Sequence, residues 1–131
     1  MKKLSLIFLI SFVFNLAWEH LHSLLYAGYK GGAITEFILF RASLADAVMI
    51  TIVALPFLYV PALKARSWLI AAALTAVAIS IELYALGTGR WAYNEYMPII
   101  PLLGIGLTPA VQLGLLGYLS YRLAVRRNVA S

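Results

Sequence analysis

Residues Ile81 to Pro109 read IELYALGTGRWAYNEYMPIIPLLGIGLTP. The stretch ends one apolar run and leads into another. Between them stand a Gly87-Thr88-Gly89 break, a basic-aromatic cluster of Arg90, Trp91, Tyr93 and Tyr96, and the prolines Pro98, Pro101 and Pro109. Glycine and proline at that density stop helices and turn the chain. Glu82 sits inside the first of the two runs, where an ionisable group is costly and faces a bundle interior or a wet cavity. The reading is two hydrophobic segments joined by an interfacial loop, one of them carrying a buried carboxyl.

Working outward, the same pattern recurs. Apolar runs cover about 4–26, 36–60, 67–86 and 101–123, each near the ~20 residues that cross the hydrocarbon core. The chain is 63% hydrophobic and only 11% charged, with a mean hydropathy of +0.92. A soluble domain carries about 25% charged residues, so a soluble globular class is excluded. The prediction is an all-α, four-transmembrane-helix bundle, up-down-up-down, forming a single integral membrane domain over 1–131. Lys2 and Lys3 before the first run also fit a signal peptide. No small-x-small cleavage site follows, and the run continues past Asn15 and Trp18, which favours an uncleaved helix. Pro56 is expected to kink or end the second helix and Pro109 to bend the fourth.

Basic residues set the orientation. Lys2, Lys3, Lys64, Arg66, Arg122, Arg126 and Arg127 fall on one side of a four-span chain, and only Lys30, Arg41 and Arg90 on the other. Both termini are therefore expected in the cytoplasm, and the protein in the inner cell membrane. These basic residues flank apolar runs, so a nucleic-acid partner is not expected. The chain has no cysteine, which removes disulfides and thiolate chemistry.

The intramembrane polar residues carry whatever chemistry the chain has. Asn15, Glu19, His22 and Tyr26 follow at +4, +3 and +4, one face of a helix. Ser43 and Asp46 share a face on the second helix; Arg41 lies about 140° round from Asp46, although its long side chain can reach across or snorkel outward. Thr75, Ala78, Glu82 and Ala85 share a face on the third helix, and Thr108 and Gln112 on the fourth. At about 1.5 Å per residue, Glu19, Glu82, Arg41 and Asp46 fall about 6–14 Å below the outer ends of their helices. They are expected to form one network in the outer half. Two readings of it stand side by side. In one, Arg41 pairs with Glu19 or Glu82, Asp46 takes hydroxyls or His22, and the set is interhelical glue. In the other, Glu82 is a general acid, Glu19 and Asp46 serve as base or stabiliser, and Arg41 orients the carboxylates. Asn15, His22, Tyr26, Ser43, Trp91, Tyr93 and Gln112 then line the substrate.

Other motifs are silent. His20 and His22 point to different faces, and no H-x-x-x-H or H-E-x-x-H spacing exists, so neither a metal nor a cofactor is expected. No serine lies in a G-x-S-x-G context, and Gly104-x-Gly106 follows no strand. Trp91, Tyr93, Tyr96 and Met97 read most simply as an interfacial aromatic belt. The small residues Gly106, Ala110 and Gly114 at i+4 form a stripe suited to a homo-oligomer interface.

Glu82, Thr88-Gly89, Tyr93, Tyr96 and Pro98 resemble a segment of small carotenoid-modifying membrane proteins of the lycopene-cyclase and carotenoid-hydratase types. In that segment a membrane Glu is followed by Thr-Gly, aromatic residues and a Pro-rich re-entry. Arg90-Trp91 departs from it, and the resemblance covers only this part of the chain. It implies acid-initiated chemistry on a polyene, with Glu82 as the position carried over. The expected function is a carboxylate/Arg site in the outer half of the bundle that binds a membrane lipid, isoprenoid or other lipophilic small molecule, or acts on it by acid-base chemistry. The alternatives are a transporter or channel subunit working as an oligomer, and a structural or assembly protein whose polar set is only glue.

Overall fold

The computed structural model describes residues 2–130, with side chains through residue 126; the side chain of Arg127, one of the basic residues counted above, lies outside the described set. The chain is chiefly helical: α1 (Lys2–His22), α2 (Glu36–Tyr59), α3 (Pro61–Lys64), α4 (Leu69–Gly87) and α5 (Leu107–Ala130). A single 3-10 turn, Ser23–Leu25, extends α1. Three of the helices, α1 with its extension, α2 and α4, are long and apolar enough to cross a membrane. Large apolar side chains such as Val13, Phe37 and Ile52 stand exposed on their outer faces, where lipid is the natural neighbour.

Local chemistry explains the element boundaries. Thr35 caps α2, its hydroxyl accepting from the Ile38 amide at 3.2 Å, and Glu36 sits in the first turn where the helix dipole favours an acid. α4 ends at Gly87, and Gly89 reverses the chain at φ +72°. Pro56 does not end α2, which runs on to Tyr59.

The structure differs from the expectation in the fourth helix and in the outer loops. The fourth helix starts at Leu107, not near 101: Leu102 (φ +73°) and Gly104 (φ +70°) are left-handed, and the Ile99–Gly106 bridge folds this segment into a turn. Pro109 therefore falls in the first turn of α5, where a missing N–H costs nothing and no bend is required. The outer loops are also not plain loops. Tyr26–Tyr29 (β1) and Trp91–Tyr93 (β2) pair antiparallel into a two-stranded ribbon. Tyr26, expected at the end of the first helix, belongs to that ribbon.

α5 packs against α1 and α4, and α1 against α2, whereas α2 meets α4 and α5 sparsely. The end of the bundle away from the ribbon is a dry core of Ile7, Ile50, Phe57, Ile70, Leu74 and Tyr121. The stripe expected to receive a second copy is used within the chain. A Cβ on Gly114 would strike the Thr75 hydroxyl and lie 2.8 Å from the Ala71 carbonyl of α4, and Ala110 is 2% exposed. At Gly114 the missing side chain lets α4 and α5 approach closely.

Candidate functional site

Under the ribbon, where α1 and α4 end and α2 and α5 begin, the interior turns polar. The helical face anticipated on α1 points inward, with Asn15 fully buried and His22 nearly so. Gln112 of α5 is the hub. Its Nε2 lies 2.9 Å from Asn15 Oδ1, 2.9 Å from Glu19 Oε1 and 3.0 Å from Asp46 Oδ2. One amide, with two hydrogens to donate, thus serves three acceptors drawn from α1 and α2. The other oxygen of Glu19 meets His22 Nε2 at 3.0 Å, and His22 Nδ1 lies 3.1 Å from the Thr108 hydroxyl.

Glu82 forms a second polar centre. It is 4% exposed, and its Oε2 accepts from Trp91 Nε1 at 3.1 Å and from the Tyr93 hydroxyl. The same Tyr93 oxygen accepts from the Gly106 amide at 3.0 Å. Glu82 thereby ties β2 to α4 and to the start of α5. Burial, and then the neighbouring Glu82, push the Tyr93 phenol above its ordinary value, so it stays a neutral donor. Tyr26 bridges the two centres, edge-on to His22 at 5.2 Å and to Tyr93 at 5.3 Å between ring centroids.

Both centres open into one cavity of about 590 Å³, within the range of small-molecule sites. It lies in the gap where α2 and α4 fail to close. Ala42 and Ala45 on one side, and Ala78 and Ala85 on the other, are too small to fill that gap. Glu19, Asp46, Glu82 and Gln112 form the polar floor; Tyr29, Lys30, Arg41, Arg90 and Trp91 surround the mouth. An acid-floored cavity with apolar side walls can hold an elongated apolar molecule and present carboxyls to it.

Of the residues singled out from sequence, Glu19, His22, Tyr26, Arg41, Asp46, Glu82, Trp91 and Gln112 line this one cavity. Asn15 lies behind it on Gln112, and Tyr93 reaches it through Glu82. Ser43 does not take part: it is fully buried, and its hydroxyl donates back to the Leu39 carbonyl of its own helix at 2.8 Å. Arg41 is not where its expected role would put it. Among the described residues it pairs with no carboxylate; it donates to the Tyr29 hydroxyl at 3.2 Å, its guanidinium 5.7 Å from the Phe37 ring. The angle from Asp46 and a long stem that carries the charge toward water place it at the mouth. Tyr29, Lys30 and Arg90 were missed as site residues. The available signal was that Lys30 and Arg90, with Arg41, were the only basic residues left on the far side by the charge count.

Among the described residues no group of three His, Asp or Glu side chains is arranged to hold a metal ion. No family model, curated protein or solved structure matches this chain.

Proposed function

We propose that the chain is a multi-pass membrane protein that admits a lipid or isoprenoid sideways from the bilayer, between α2 and α4, and acts on it by acid-base chemistry. The observation that carries this reading is the shared acidic floor of Glu19, Asp46 and Glu82 in a cavity whose side walls are apolar. α5 serves as the fourth span; Leu107 to Leu123 covers about 25 Å at ~1.5 Å per residue, just short of the hydrocarbon thickness. Both termini lie in the cytoplasm by the distribution of Lys and Arg, which turns the ribbon and the cavity toward the outer leaflet of the inner membrane.

The hydrogen bonds favour a different division of roles from the one expected from the sequence pattern. Glu82 Oε2 already accepts from two donors, so Glu82 acts as an acceptor that stabilises positive charge developing on the substrate. Asp46 and Glu19 share the Gln112 amide. Two carboxyls that close are most stable with one proton between them, and Asp46 delivers it. The substrate cation then loses a neighbouring proton to Glu19, which restores the one shared proton of the pair, while His22 holds the other Glu19 oxygen in place at 3.0 Å. The resemblance of Ile81–Pro109 to carotenoid-modifying proteins adds a polyene to the substrate classes, since protonation of a double bond needs an acid and a nearby anion.

The test is mass spectrometry of total lipids from host membranes bearing the wild type, Asp46→Asn or Glu82→Gln, with and without an added acyclic carotenoid. The wild type converts a lipid, and each variant loses about 10²–10⁴-fold in rate while eluting and melting like the wild type. Conversion that persists in a folded Asp46→Asn variant contradicts the reading and leaves the polar set as interhelical glue.

A further inference from the structure

Among the described residues, no acid pairs with the three cations at the cavity mouth. Among the described residues both ion pairs use histidines, His20 with Glu36 and His22 with Glu19. Lys30, Arg41 and Arg90 instead converge on one phenol. Arg41 donates to the Tyr29 hydroxyl at 3.2 Å, Lys30 Nζ lies 5.5 Å from the Tyr29 ring, and Arg90 stands beside them, its carbonyl accepting from the Lys30 amide at 2.6 Å. These are also the three basic residues that the topology leaves on the outer side. Like charges dispersed over a surface avoid one another; here the fold gathers them.

The backbone places two of them, Lys30 and Arg90, side by side. Lys30 is left-handed at φ +48° and is followed by Gly31 at φ +78°. Two hydrogen bonds, Tyr29 N to Gly32 O at 3.0 Å and Gly32 N to Tyr29 O at 2.9 Å, close the turn around them. Positive φ at both central residues is what a two-residue primed hairpin turn requires, and the turn sets Lys30 at its tip beside Tyr29. The Lys30 amide donates to the Arg90 carbonyl at 2.6 Å, which fixes the two residues side by side across the ribbon.

We propose that Lys30, Arg41 and Arg90 clamp the phosphate of a lipid headgroup while the lipid's apolar part lies in the gap between α2 and α4. The proposal rests on the lateral-access reading above and names the substrate class more narrowly. Two guanidinium groups and an ammonium match several oxygens and more than one negative charge, and the mouth sits where headgroups sit. Arg41 stands five residues from Asp46, about 7–8 Å along α2. The atoms presented to Asp46 and Glu82 are thus a few bonds inward from the phosphate. The Tyr29 phenol reports the same cationic field: the guanidinium of Arg90, with Lys30 and Arg41 close by, holds it below the ordinary phenol range.

The experiment uses the full chain purified in detergent, with retained phosphatidic acid, retained diacylglycerol and competing inorganic phosphate as probes. Arg41→Gln, Arg90→Gln and Lys30→Asn remove the charges one at a time, and Asn suits the left-handed turn. Each variant is expected to weaken phosphatidic acid about fivefold, and the triple variant roughly a hundredfold, more weakly at high salt. Diacylglycerol retention stays as in the wild type. Unchanged phosphatidic acid binding in the triple variant overturns the clamp and leaves the lateral cavity intact. Displacement by inorganic phosphate at equal concentration makes the mouth a free-anion site and overturns the lipid assignment. Failure of the folded wild type to retain either lipid overturns the clamp and the lateral-access reading together.

Discussion

Replacing Gln112 by leucine tests whether the polar centre is a connected unit. The amide nitrogen stands within 3.0 Å of acceptors on Asn15, Glu19 and Asp46, but its two hydrogens make at most two full bonds at once. Interhelical polar contacts in membranes are worth about 0.6–1.7 kcal/mol each. Two of them, made partly to carboxyls, give an expected loss of about 1–3 kcal/mol. Leucine keeps the volume, so packing against α1 and α2 changes little. Reversible unfolding in bicelles measures the loss, and a double-mutant cycle with Asp46→Leu isolates the pair, with a coupling of about 1 kcal/mol expected. If Gln112→Leu is neutral and the cycle is additive, the hub does not join α1, α2 and α5, and the reasoning about a shared acidic floor fails with it.

Two further outcomes follow from local geometry. Gly114→Ala pushes a methyl against Thr75 and the Ala71 carbonyl and should destabilise the α4–α5 contact by about 1–3 kcal/mol in thermal unfolding, whereas Gly87→Ala, which meets nothing within 4 Å, should be silent. Tyr29 should ionise at lower pH than an ordinary tyrosine, because Arg90, and then Lys30 and Arg41, favour the phenolate; in a near-ultraviolet absorbance titration Arg90→Gln, or a phosphate-bearing lipid at the mouth, should move it back toward 10.0.

The helices were legible because lipid imposes one rule: long apolar stretches with few charges become helices. The inward face of α1 was legible for the same reason, since Asn15, Glu19 and His22 have only one face on which to meet. What escaped was set by contacts distant in sequence. The ribbon joins Tyr26–Tyr29 to Trp91–Tyr93, and neither segment alternates apolar and polar residues long enough to signal a strand. The late start of α5 depends on a left-handed Leu102, which propensity argues against. The separate duties proposed for Glu82 and Asp46 rest on which donors reach them, and depth along a helix does not distinguish the two. Arg41 was drawn toward the acids by opposite charge; in the folded chain the mouth of the cavity and Tyr29 hold it instead. The stripe of Gly106, Ala110 and Gly114 does not show in sequence that Gly114 meets Thr75 of α4 and Gly106 meets Met97 within the same chain.

The central claim is that a lipid occupies the gap between α2 and α4 above the acids. The most direct measurement is photocrosslinking with a diazirine-bearing phospholipid in host membranes, followed by mass-spectrometric mapping of the adducts. The account predicts adducts on Ala45, Met49 and Ala78, which line the cavity, at yields that fall when Ala45 is replaced by Phe to fill the gap. Adducts confined to outward-facing residues such as Val13 and Ile52, with none on the cavity walls, would contradict it.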